Sequence, residues 1–132
     1  DLFYPAFTPP WNRCTKDTFQ ALDELGFQVF SKDRARECVT EHRFTEISTT
    51  LDIYSWKEGA RMKPSDEIVR ELIAQMSELP IVGLLLHHKV MDREAFTFLD
   101  QLLCELTRYS VVRLHTFRTL RPLEMESPMV PQ

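Results

Sequence analysis

Glycine is scarce in this chain. Its three residues, Gly26, Gly59 and Gly83, form neither G-x-G-x-x-G nor G-x-x-x-x-G-K-[ST], so a nucleotide site of either common phosphate-cradling type is disfavoured. Cysteine is equally sparse. Cys14, Cys38 and Cys104 are odd in number and widely spaced, with no C-x-x-C, which argues against a disulfide framework and a zinc ribbon and leaves small, partly buried thiols as the expectation. Positive charge is not in excess: 16 Lys and Arg stand against 20 Asp and Glu, a net charge of −4, so nucleic acid is not an expected partner. The longest apolar stretch, Ile81 to Leu86, is far too short to cross a bilayer, and no membrane partner is expected. Internal repeats and low-complexity segments are also missing.

What is present is an ordinary globular composition. The 132 residues are 43% hydrophobic and 27% charged, enough for one domain with a real core. Residue 1 is Asp, and no charged-then-apolar leader is visible. A chain that opens directly on Leu2-Phe3-Tyr4 reads as cut from a longer polypeptide as readily as complete. The compartment stays unassigned; cytoplasm fits the chain as given slightly better, and export is not excluded.

Turn and capping residues divide the chain. Leu2 to Phe7 reads as a strand stopped by Pro9-Pro10, which remove two backbone donors. Thr15 is placed to cap a helix with Asp17 in its first turn, Phe19, Leu22 and Leu25 on its inner face, and Gly26 as its stop. Phe27 to Phe30 reads as a strand, Ser31 to Arg43 as a surface connection, Phe44 to Tyr54 as one extended strand, and Ser55 to Lys63 as a loop. Pro64-Ser65-Asp66-Glu67 starts a helix, with the serine hydroxyl as cap and Ile68, Leu72, Met76 and Leu79 on one face, ended by Pro80. Ile81 to Leu86 suits a strand buried on both sides of a parallel sheet. Asp92 opens the last long helix, with Phe96, Leu99, Leu103 and Leu106 inward. Ser110 to Phe117 reads as a final strand, and Arg118 to Gln132, with three prolines, as a loosely held tail. This alternation predicts an α/β fold with mostly parallel strands and about three helices.

Three polar clusters each follow the carboxyl end of an expected strand: Pro9 to Arg13, Asp52 to Lys57, and His87-His88. In α/β folds ligands bind outside the carboxyl ends of the strands. Each cluster alone reads equally as a rigid turn, a loop acid beside a packing aromatic, or hydrogen-bonded strand caps. Adjacent residues on a strand point to opposite faces, so His87 and His88 do not both ligate one metal. One of them facing the cleft suits a general acid or base. With His42 and His115 the histidines number only four, without an H-x-x-x-H pair, and no metal ligand is assigned. Lys57, Arg61 and Lys63 read as solvated surface.

Phe7-Thr8-Pro9-Pro10-Trp11-Asn12 resembles the third signature motif of the polysaccharide deacetylases, metal-dependent carbohydrate esterases acting on acetylated sugars. Asp52 to Trp56 resembles their fourth motif, an acid-containing run ending in Trp, and Leu84-Leu85-Leu86-His87 their fifth, an aliphatic strand ending in His. The motifs occur in the family's order over residues 1–120, with 121–132 left as the tail. The resemblance implies an irregular, incomplete (β/α) barrel and a carbohydrate substrate. It implies His87 as the acid that protonates the leaving group and the fourth-motif acid, Asp52, as its orienter. Trp11, Trp56 and Leu85 would wall the acetyl and sugar pocket, with Pro10, Asn12, Arg13 and His88 among the substrate-binding residues beside them.

A divalent metal, zinc first, is implied as cofactor, but its ligands and the base belong to the family's first two motifs, which have no counterpart here. Thr8 stands where the third motif usually carries Arg, and Ser55 where the fourth usually carries an acid. These departures motivate an alternative, a non-catalytic module binding a glycan or a protein through the Trp11 and Trp56 side chains. A barrel of this general type takes about 250 residues, so the chain is expected to supply the C-terminal half. A homo-oligomer covering open sheet edges is a further expected partner.

Overall fold

The computed structural model describes residues 3–36 and 42–120. The chain divides into two compact units, Asp1–Ser48 with His115–Gln132, and Thr49–Leu114. The architecture is mixed α/β with small, mainly parallel sheets.

In the first unit, β1 (Ala6–Phe7), β2 (Val29–Phe30) and β3 (Thr45–Glu46) form a parallel three-stranded sheet in the order β1-β2-β3. Helix α1 (Lys16–Glu24) starts at Thr15, whose side chain accepts from the Thr18 amide while the Thr18 hydroxyl accepts from the Thr15 amide, a reciprocal cap. It ends in Gly26 at φ 73°, with Phe27 N–H bonded to the Leu22 carbonyl and Gly26 N–H to that of Asp23. Only a residue tolerant of left-handed backbone closes the helix this way. Phe19 and Leu22 pack with Phe30 against Phe7, Phe27 and Phe44. Leu25 instead stands 73% exposed, because it is the C-cap and the helix has already ended.

Ser31 and Lys32 are buried, which corrects the expectation of a surface connection; residues 37–41 and Cys38 with them lie outside the described residues. Lys32 Nζ reaches the Arg36 carbonyl at 2.6 Å and Glu46 Oε1 at 3.2 Å, so the buried ammonium is satisfied. Burial alone pushes the Glu46 carboxyl up. Hydrogen bonds from Ser48 and Lys32, with the charges of Lys32 and His42, outweigh it and leave its pKa below the ordinary 4.5. A depressed carboxyl pKa adds stability that is present above pH 4.5 and is lost as pH falls through the folded value. Glu46→Gln is therefore expected to be less stable than the native protein in urea unfolding at about pH 7, with the gap closing toward about pH 3.

In the second unit, β4 (Leu51–Asp52) pairs in parallel with β7 (Leu84–Leu85), Leu51 opposite Leu84 and Asp52 opposite Leu85. β5 (Tyr54–Ser55) and β6 (Arg61–Met62) form an antiparallel hairpin where the sequence suggests a loop; Gly59, at φ 98°, turns it. The single extended strand expected over 44–54 is thus three short ones. Thr50 breaks it: its N–H donates to the Gly83 carbonyl, and its Oγ1 accepts from the Gly83 N–H. Pairing through Gly83 leaves Leu84 and Leu85 half-buried, not enclosed on both faces.

Helix α2 (Ser65–Glu78) follows Pro64, which is itself the N-cap, so Ser65 is the first helical residue and caps nothing by its side chain. Its buried face is Ile68 and Leu72, whereas Met76 is 38% exposed. Helix α3 (Arg93–Leu106) buries Ala95 and Leu102 and packs Phe98, Leu99 and Leu106 on the core, leaving Phe96 49% exposed. Of the expected inner stripe, Leu99 and Leu106 pack on the core as expected, whereas Ala95 and Leu102 are the buried positions and Phe96 is not. Cys104 is exposed. Asp92 caps the helix as expected, Oδ1 accepting from the Ala95 amide at 2.9 Å. Asp92→Ala is expected to cost about 1 kcal/mol in chemical unfolding, with Asp92→Asn recovering most of it.

No strand forms over 110–117, where turn and irregular backbone lead into a helical turn at 117–120; the expected tail at 121–132 lies outside the described residues. Among the described residues, no helix is long and apolar enough to cross a membrane.

Candidate functional site

The second unit brings two of its strand ends together around one imidazole. Register places Asp52 and Leu85 side by side at the carboxyl ends of β4 and β7, and His87 follows two residues later. His87 Nε2 lies 2.9 Å from Asp52 Oδ1. The same Oδ1 accepts from the Tyr54 amide at 2.8 Å, and Oδ2 accepts from Trp56 Nε1 at 3.3 Å. A carboxylate is acceptor-only, so the Asp52 pairing assigns the His87 proton to Nε2. Nδ1 has no hydrogen-bond partner among the described residues, and the side chain keeps 22% of its surface exposed. The arrangement is an acid-oriented imidazole with its second nitrogen free to take up or release a proton.

Two aromatic rings wall it. Trp56 meets the imidazole edge to face at 4.9 Å between centroids and 80°, and Tyr54 does so at 5.6 Å and 71°. The walls differ: Trp56 is 44% exposed, whereas Tyr54 is buried in the core. Asp52, Tyr54 and Trp56 all reach the imidazole across the bend at Ile53 that separates β4 from β5. Ile53, between them, is fully buried. Burial, with the Asp92 charge adding to it, pushes the Tyr54 phenol above its ordinary 10, and it remains a neutral group at working pH.

Asp52, Trp56, His87 and Leu85 are thus collected in one place, Leu85 as the strand neighbour of Asp52. His88 is exposed in the turn that follows and takes no part in the pair. Pro10, Trp11, Asn12 and Arg13 belong to the first unit, just past the carboxyl end of β1. They make a 3-10 turn in which Trp11 (φ 56°) and Asn12 (φ 55°) are left-handed. For a bulky residue such as Trp11 that conformation costs on the order of 1–2 kcal/mol. Asn12 Oδ1 accepts from the Asp33 amide at 2.8 Å and anchors the turn, while Trp11 is 80% exposed. Tyr54 is a site residue that the sequence does not single out, although it stands between Asp52 and Trp56 in D-x-Y-x-W.

Among the described residues no group of three or more His, Cys, Asp or Glu is placed to hold a metal ion. Asp52 and His87 are two, and they spend their facing atoms on each other. The residues described do not fit the implied divalent metal. Comparison with protein-family models, curated proteins and solved structures finds no match to this chain.

Proposed function

We propose that the chain is part of a polysaccharide deacetylase-like hydrolase that removes acetyl groups from a carbohydrate, and that its parallel strands belong to an irregular (β/α) barrel. His87 acts as the general acid and Asp52 as its orienting partner. The observation that carries this reading is the 2.9 Å contact between His87 Nε2 and Asp52 Oδ1 at the carboxyl ends of two parallel strands, beside a half-exposed indole.

Water adds to the acetyl carbonyl carbon. As the acyl C–N or C–O bond breaks to release acetate, His87, protonated at both nitrogens, donates from Nδ1 to the departing nitrogen or oxygen, and a proton of that water makes good the loss. An amine or alkoxide is a poor leaving group, and the proton from His87 is what it lacks. Asp52 keeps Nε2–H occupied throughout and stabilises the imidazolium. The exposed face of Trp56 offers an apolar platform for a sugar ring. A divalent metal, zinc first, remains part of the proposal for the hydrolase as a whole. Its ligands would lie outside the residues described.

Acetate release from N-acetylated and O-acetylated oligosaccharides by the full natural polypeptide, with zinc or manganese added, tests the reading. Turnover that disappears in His87→Ala supports it. Saturable glycan binding without acetate release, unchanged by His87→Ala, would replace it with the non-catalytic glycan-binding module.

A further inference from the structure

Tyr54 touches every part of the His87 arrangement without facing solvent. Its amide fixes Asp52 Oδ1 at 2.8 Å. Its ring lies edge-on to the imidazole at 5.6 Å. Its hydroxyl approaches the Val90 carbonyl at 3.4 Å. Val90 closes the turn that begins at His87, since the Val90 and Met91 amides both donate to the His87 carbonyl at 2.8 and 3.1 Å. Tyr54 itself is held in the core with Leu51, Ile53, Ile68 and Leu72. The imidazole therefore has one dry wall anchored in the core and one wet wall, Trp56.

We propose that Tyr54 is a positioning residue that holds the His87 ring against Asp52 as the single Nε2–H tautomer, leaving Nδ1 as the working nitrogen. This deepens the reading of His87 as the proton carrier and rests on it. The division of labour follows from geometry. The hydroxyl contact is long for an O–H···O bond and contributes little, so the ring carries the effect. Trp56 makes a closer ring contact but is half-exposed, so it cannot keep water from competing for the imidazole.

The experiment is long-range proton–nitrogen correlation NMR of the ¹⁵N-histidine-labelled full natural polypeptide, with His87→Gln used to assign the His87 signals. The native protein is expected to show only Nε2–H in neutral His87. In Tyr54→Leu the ratio is expected to move toward Nδ1–H by about two- to tenfold, the equilibrium factor that an edge contact of this kind carries. Tyr54→Phe is expected to keep the native pattern. Leu102→Ala, which empties the same core from α3 without touching His87, controls for simple loss of stability and is expected to keep it too. Three results would each overturn the proposal: a mixed tautomer in the native protein, an unchanged one in folded Tyr54→Leu, or an equal shift in Leu102→Ala. The readout does not use turnover. A fixed tautomer in a protein that releases no acetate would therefore sink the proposed function and leave Tyr54 as the ring's anchor.

Discussion

His87→Ala is expected to lower the rate constant for acetyl release by about 10²- to 10⁴-fold, the range that a positioned general acid contributes, while leaving the melting temperature nearly unchanged. The two parts of this expectation have separate causes. His87 is partly exposed and its imidazole is engaged by hydrogen bond and ring edges, not enclosed in the hydrophobic core, so truncation leaves no sealed cavity. On the proposed function, the loss falls on the departure of the sugar. If leaving-group protonation is what His87 supplies, the deficit should shrink for acetyl esters of acidic phenols, which leave without a proton. A loss of the same size on amide, alkyl ester and aryl ester would show that His87 does something other than protonate the leaving group.

Asp52→Asn is expected to lower the rate by about 10²-fold or more, for a reason visible in its hydrogen bonds. Three donors converge on this carboxylate: the Tyr54 amide and His87 Nε2 on Oδ1, and Trp56 Nε1 on Oδ2. A carboxamide has one oxygen and one NH₂. With its oxygen at Oδ1, it meets the Trp56 N–H donor to donor. With the amide flipped, it meets both the Tyr54 amide and His87 Nε2–H with donors, and the imidazole answers by moving its proton to Nδ1. Neither arrangement keeps the native set. If the exposed Trp56 face binds the glycan as proposed, that affinity should change less than the rate.

The helices were legible in the sequence because their ends are written in local chemistry. Thr15, Gly26 and Asp92 cap or stop where their side chains or backbone freedom require. The strands were less legible because they are two-residue ladders, and period-two alternation needs more residues than that to declare itself. Phe44 to Tyr54 is continuous in β propensity, and only the Thr50–Gly83 contacts, a tertiary event, divide it. The hairpin after Tyr54 lacks a two-residue Asn-Gly or Asp-Gly signal. The face of α3 was legible only in part: Leu99 and Leu106 lie on it as the spacing suggests, but Ala95 and Leu102, not Phe96, complete it. Within the site, Asp52, Trp56 and His87 were legible from their place after strands. Tyr54 was not, since a buried aromatic on a strand reads as core, and here it is core and site wall together. Pro10 to Arg13 were grouped with them by their place after a strand and by resemblance; they do follow the carboxyl end of β1, in the first unit.

Ile53→Ala is expected to be the most destabilising conservative truncation in the second unit, costing about 2–5 kcal/mol and lowering the melting temperature by on the order of 10 °C. Ile53 is fully buried among Leu51, Tyr54, Ile68, Leu72 and Met91, and its carbonyl accepts from the Lys63 amide at 2.9 Å. It is the bend between β4 and β5, and neighbours fixed by β pairing on both sides leave little room for collapse into the space vacated. Cavity cost therefore adds to the lost transfer energy. Ile53→Val removes one methylene and is expected to cost about 0.5–1.5 kcal/mol. What separates Ile53 from an ordinary core position is what its neighbours carry. Asp52 and Tyr54 flank it directly, so loosening the bend should also blur the Asp52–His87 contact. Ile53→Ala should then lose turnover while still folded, at temperatures well below its own transition. Phe30→Ala, an equally buried truncation in the first unit with an expected cost of about 3–5 kcal/mol, supplies the comparison. Matched losses of stability with turnover impaired only by Ile53→Ala would place the effect in the bend. Equal impairment by both would assign it to global stability alone.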